Sequence, residues 1–89
     1  MITRAAVVAE ARRWLDTPFH HQARMNGIGV DCAGVVICVA RALGLVPADF
    51  DIGGYGRVPD GRSLLAACDA AMRRIAAAEL APGDVVVVR

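Results

Sequence analysis

At 89 residues and a formal net charge of +1, the chain has room for one small domain and offers no electrostatic case for nucleic acid or an anionic membrane surface. Its hydrophobic fraction of 56%, with only 4% aromatic residues, is carried mainly by Ala and Val; no run approaches a membrane span, and the start lacks the unbroken apolar segment of a signal peptide. Cys32, Cys38 and Cys68 are odd in number and lack C-x-x-C spacing, which argues against a disulfide framework or a structural zinc site and implies no metal or other cofactor.

The first helix is expected over residues 3–15, with Thr3 as N-cap. Val7, Ala11, Trp14 and Leu15 form one stripe, and Glu10, Arg12 and Arg13 point elsewhere. Asp16-Thr17-Pro18 should end it, because a residue before proline avoids the helical region. Residues 19–30 read as a loop, with Asn26-Gly27 and Gly29 as turn residues. A second helix should open at Asp31 or Cys32 and stop at Gly44, a natural C′ glycine, with Leu45 as the apolar contact after it. Residues 46–62 form a link rich in Gly, Pro and Asp. The third helix is expected over 63–77, with Leu64, Leu65, Cys68, Met72 and Ile75 on its apolar side. Ala81-Pro82-Gly83-Asp84 is a turn, and the valines at 85–88 read as a strand buried on both faces.

The second helix carries only Arg41 as a charged residue after its first position, so it belongs in the middle of a fold, covered on several sides. The valine strand has no evident partner, and a buried lone strand leaves its backbone groups unpaired. The expectation is an α+β chain, a single unit over 1–89, that forms the front of a larger fold or is completed by another chain.

The chemistry sits at the start of the second helix. Asp31 is a good N-cap, and Cys32 then occupies the first helical position, where unsatisfied amides and the positive end of the helix dipole favour a thiolate. Ala33 and Gly34 are small enough for a substrate backbone to approach the sulfur. The Cys32 amide is suited to holding an oxyanion. The Asp31 carboxylate opposes the thiolate if it lies close. Against this stands the plain reading of a cysteine in an apolar helix as a small buried hydrophobe, which is the reading adopted for Cys38 and Cys68.

Three blocks occur in order: W-L-D-T-P-F at 14–19, G-V-D-C-A-G at 29–34 and L-A-P-G-D-V-V-V-V at 80–88. Together they resemble the NlpC-type papain-like cell-wall cysteine peptidases, and more closely the branch encoded with phage tail genes. The resemblance implies a papain-like α+β fold, of which this chain is the amino-terminal helical part plus the first strand of the sheet. It implies Cys32 as the catalytic nucleophile, with Asp31, Ala33, Gly34, Phe19 and His20 around the oxyanion or substrate pocket. Phe19 stands where many members have a tyrosine, and His20, His21, Gln22 and Ala23 replace the usual aromatic and Gly-Gly. Ala33 replaces a serine. The family histidine lies on a strand beyond the P-G-D strand; here the histidines are His20 and His21, in the loop before the nucleophile, and no spacing requires either to reach the thiol.

The implied activity is hydrolysis of amide bonds in peptidoglycan stem peptides through a Cys32 thioester, with the isolated chain poorly active. The alternative is a non-catalytic homologue that serves a phage tail as a structural or binding element, its exposed strand pairing with tail proteins, a sheet-completing partner chain or a second copy. A third reading is a small helical protein with buried cysteines. The basic residues are all arginine, a usage that fits a GC-rich bacterial or phage genome. Synthesis in a reducing cytoplasm is expected, with use in a virion tail or at the cell wall.

Overall fold

A computed structural model describes residues 2–52 and 63–86. Among these residues the chain is a small α+β unit of three α-helices and a two-stranded antiparallel sheet. Helix α1 is Arg4–Arg12, strands β1 and β2 are Arg24–Met25 and Gly29–Val30, helix α2 is Cys32–Ala42, and helix α3 is Ser63–Ala71. A short 3-10 turn follows at Ala77–Glu79.

Thr3 caps α1 as expected, its hydroxyl accepting the Ala6 amide at 3.1 Å. The helix ends three residues before the predicted stop at Leu15. Trp14 and Leu15 donate to the carbonyls three residues back, Ala11 and Arg12. That tighter winding turns the chain further per residue and swings Leu15 off the apolar stripe, leaving it 71% exposed. Asp16 at φ +67° then reverses the chain.

Residues 19–30, read from sequence as a loop, contain the sheet. Arg24 pairs with Val30 and Met25 with Gly29 across a turn at Asn26-Gly27-Ile28, with Gly27 at φ +77°. The turn folds back onto the end of α1. The Asn26 side-chain amide donates to the Arg13 carbonyl at 2.8 Å, and the Gly27 amide donates to the Thr17 hydroxyl at 3.0 Å. On the other side of Val30 runs the segment before the loop: Val30 donates to the Pro18 carbonyl, His20 donates to the Val30 carbonyl, and Phe19 forms a parallel bridge with Val30. Val30 is therefore fixed from both flanks immediately before α2.

Helix α2 is the central element, packed against α1 and β1. The core consists of Val30, Ala33, Ile37 and Val39, three of them on α2. Its C-terminus is a Schellman motif: Gly44, at φ +71°, donates to Arg41, and Leu45 donates to Ala40. Leu45 itself stays 56% exposed at the mouth of a shallow apolar hollow of about 450 Å³ between α3 and residues 45–52.

Helix α3 is shorter than the expected 63–77. Residues 70–74 are all exposed, so no packing supports another turn, and propensity alone rarely sustains one in water. Cys68 and Ile75 are half-buried, Met72 is exposed, and the side chains of Leu64 and Leu65 lie outside the described residues. The Ala81–Asp84 turn docks on α1, where Arg4 donates to the Pro82 carbonyl at 3.0 Å and to the Asp84 carboxylate at 2.7 Å. The expected buried strand does not begin at Val85: Val85 and Val86 are irregular and 42% and 60% exposed, because no neighbouring strand among the described residues offers them hydrogen bonds. Val87 and Val88 lie outside the described residues.

Candidate functional site

The site is built where β2 runs into α2. Asp31 is the N-cap, its Oδ1 accepting the Gly34 amide at 2.8 Å. A cap of this kind is normally a surface feature, but Asp31 is 3% exposed. A buried carboxylate needs partners for both oxygens. Oδ2 accepts the Gln22 amide at 2.8 Å, which is presented by a backbone in the left-handed region at φ +58°. Oδ1 also receives the Arg24 guanidinium at 2.9 Å.

Arg24 is in turn fixed from several sides. It donates to the Ala23 carbonyl at 3.0 Å, to Asp51 at 3.1 Å and to the Ile52 carbonyl at 3.2 Å. Arg41 of α2 joins the same assembly, donating to the Phe50 carbonyl at 2.6 Å and lying 3.6 Å from Asp51. Two arginines and two aspartates thus tie β1, the start and end of α2 and residues 50–52 into one charge-balanced network. Hydrogen bonding of Asp51 to the Ile52 amide, aided by Arg24, holds its carboxyl below the ordinary value.

Cys32 occupies the first position of α2 and is exposed. Cys38 and Cys68, by contrast, are half-buried. Burial pushes the Cys38 thiol up, with Arg41 and Arg24 pulling the other way. Burial also raises Cys68 on α3, and the charge of Asp69 adds to the rise. All three cysteines are free thiols.

The remaining sequence-derived candidates fall close by along the backbone. Phe19 and His20 flank Val30, two residues before Cys32, with Phe19 72% exposed. The His20 Cβ packs over Gly29, where a methyl group in place of the glycine hydrogen would come within 2.9 Å, and its Nδ1 lies 3.4 Å from the His21 carbonyl oxygen. Ala33 and Gly34 face inward. A Cβ on Gly34 would meet Val30 at 2.7 Å and both the Ala23 carbonyl oxygen and Arg24 Nη1 at 2.9 Å, so the room left by this glycine is filled by Val30 of β2, the Ala23 backbone and the Arg24 side chain. The hollow beside α3 is lined by none of the candidate site residues.

Sequence reasoning missed Arg24. A signal was available: an Asp cap preceding an apolar helix is destined for burial and requires a cation, and Arg24 is the nearest arginine in the preceding loop. Among the described residues no cluster of three or more His, Cys, Asp or Glu side chains could hold a metal ion, and no helix is long and apolar enough to cross a membrane. The chain matches no family model, no curated protein and no solved structure.

Proposed function

We propose that the chain carries the nucleophile of a papain-like cysteine peptidase acting on amide bonds of peptidoglycan stem peptides, and that Cys32 is that nucleophile. The observation that carries the reading is the exposed thiol on the first residue of α2, behind a buried Asp31 cap whose charge is balanced by Arg24. The Cys32 sulfur attacks the scissile carbonyl, and the Cys32 amide at the start of α2 stabilises the oxyanion that forms. Collapse expels the amine and leaves a thioester, which water then hydrolyses. Phe19 and His20 pair with Val30, two residues before Cys32, and Gly34 lets the helix start pack against Val30, Ala23 and Arg24. Resemblance of the ordered motifs to the NlpC-type enzymes supplies the substrate class, assigns the base to a histidine on a later strand and places the work at a cell wall or in a phage tail.

The test separates the nucleophile from the base by using an ester whose leaving group needs no proton. The chain is incubated with a stem-peptide aryl ester activated at the D-glutamyl carboxyl and analysed by mass spectrometry. The expected product is a single acyl adduct on Cys32, absent in Cys32→Ala, retained in His20→Ala and His21→Ala, and slower with an unrelated peptide ester. Acylation of Cys38 or Cys68 in place of Cys32, or equal rates with both esters, would refute the reading.

A second reading is favoured by the exposed Val85 and Val86. On it the chain is a non-catalytic element that adds its valine segment to the sheet edge of a tail protein or of a second copy. Light scattering then gives a dimer or larger assembly, and a monomer at all concentrations excludes the second-copy form.

A further inference from the structure

We propose that Asn26-Gly27 is a deamidation site that the fold holds shut, and that its conversion releases the β1–β2 turn from the end of α1. The site lies apart from Cys32 and does not depend on the reading of that thiol as a nucleophile.

The chemistry belongs to the peptide itself. The Gly27 nitrogen attacks Cγ of the Asn26 carboxamide, its N–H proton is lost and ammonia leaves, closing a succinimide ring. Water then opens the ring. Attack at the former side-chain carbonyl gives aspartate; attack at the main-chain carbonyl gives isoaspartate, whose backbone runs through the former side chain. A glycine in the following position obstructs this closure least, because it has no Cβ. Asn26 is the sole asparagine of the chain, and both it and Gly27 are exposed to water.

The folded turn keeps the reacting atoms apart. The Ile28 amide donates to the Met25 carbonyl at 3.1 Å, which puts Asn26 and Gly27 at the two central positions. Gly27 has φ +77° and Asn26 a negative φ, the pattern of a type II turn. In such a turn ψ of the first central residue is about +120°, which swings the next nitrogen away from that residue's own side chain. Two hydrogen bonds fix the pieces in those places. Asn26 Nδ2 donates to the Arg13 carbonyl at 2.8 Å. A carbonyl only accepts, so the atom held there is the departing nitrogen, and Cγ is held with it. The Gly27 amide, which must give up its proton, donates to the Thr17 hydroxyl at 3.0 Å. Ring closure therefore requires both bonds to break and ψ to rotate.

Those bonds are also what attach the turn to the segment after α1. Deamidation sets a carboxylate oxygen where the Arg13 carbonyl had a donor, so two acceptors face each other. Isoaspartate further adds a methylene to the main chain between Met25 and Gly29, which are paired across the turn.

The full chain is incubated in mildly alkaline buffer, folded or unfolded in guanidinium chloride. Mass spectrometry follows the Asn26 peptide, and chromatography separates aspartate from isoaspartate. The folded parent is expected to deamidate at least about tenfold more slowly than the unfolded chain; equal rates overturn the proposal. Thr17→Val removes the acceptor for the Gly27 N–H and keeps the shape of the side chain. It should deamidate about fivefold faster than the parent when folded, and at the parent rate when unfolded. An unchanged folded rate, or an equal acceleration in Gly44→Ala, which perturbs the far end of α2 instead, overturns the lock. Should Thr17→Val fail to fold by circular dichroism, hydrogen exchange at the Gly27 amide of the parent decides: protection supports the lock, and exchange at the unfolded rate overturns it. Asn26→Asp, the aspartate product itself, should unfold at a lower temperature than the parent; an unchanged midpoint overturns the release of the turn.

Discussion

A carboxylate with 3% exposure stays charged only if its surroundings are built for it. Around Asp31 that building consists of the Gln22 and Gly34 amides and the Arg24 guanidinium. The geometry leaves no space to spare at Gly34, whose Cα faces Val30, the Ala23 carbonyl and Arg24. Gly34→Ala should therefore force β1 or Arg24 outward and lower stability by about 1–3 kcal/mol, measured by urea unfolding, despite the better helix propensity of alanine. A neutral or stabilising result would mean that β1 is not held against α2 as described. At this scale the aspartate and the cysteine were legible, because capping and helix-start chemistry are local. Arg24 was not, since its role arises from seven residues of chain folding back on themselves.

Helix starts and stops were readable where a side chain or a glycine marks them. Thr3 and Asp31 cap the first two helices, and Gly44 closes α2 at φ +71°. Gly44→Ala puts a Cβ into the left-handed region and should cost about 1 kcal/mol, seen as an earlier thermal midpoint; an unchanged midpoint would show that the Schellman closure contributes nothing. The hairpin escaped because strands of two residues, Arg24–Met25 and Gly29–Val30, carry no measurable period. In α3 the apolar pattern continues past the point where packing ends, whereas α1 gives way to three-residue winding while Trp14 is still half-buried. Val85 and Val86 show the converse, a strand-like composition without a neighbouring strand among the described residues.

Among the described residues, ion pairs join segments that are distant in the sequence. The Arg4–Asp84 contact at 2.7 Å clips the Pro82-Gly83 turn to α1, and the Arg24–Asp51–Arg41 contacts draw residues 50–52 onto α2. Asp84, bonded first by Arg4 and then by the Ala81 amide, is held below its ordinary value of 3.8, as is Asp51. A depressed carboxyl stabilises the folded state above that ordinary value and ceases to do so as the pH falls through the lower folded-state value. The thermal midpoint should accordingly drop on acidification below pH 3.8, and Arg4→Ala should flatten part of that drop. A midpoint insensitive to acid would mean that these clips do not hold the segments together.

The proposed chemistry requires the thiol at the start of α2 to be the accessible and reactive one. The direct measurement is the iodoacetamide rate constant of each cysteine in the folded chain at neutral pH, read by peptide mass spectrometry. Cys32, exposed, should react at least about tenfold faster than Cys38 and Cys68, whose thiols are raised by burial. Equal rates at the three positions, or Cys38 or Cys68 reacting first, would contradict it.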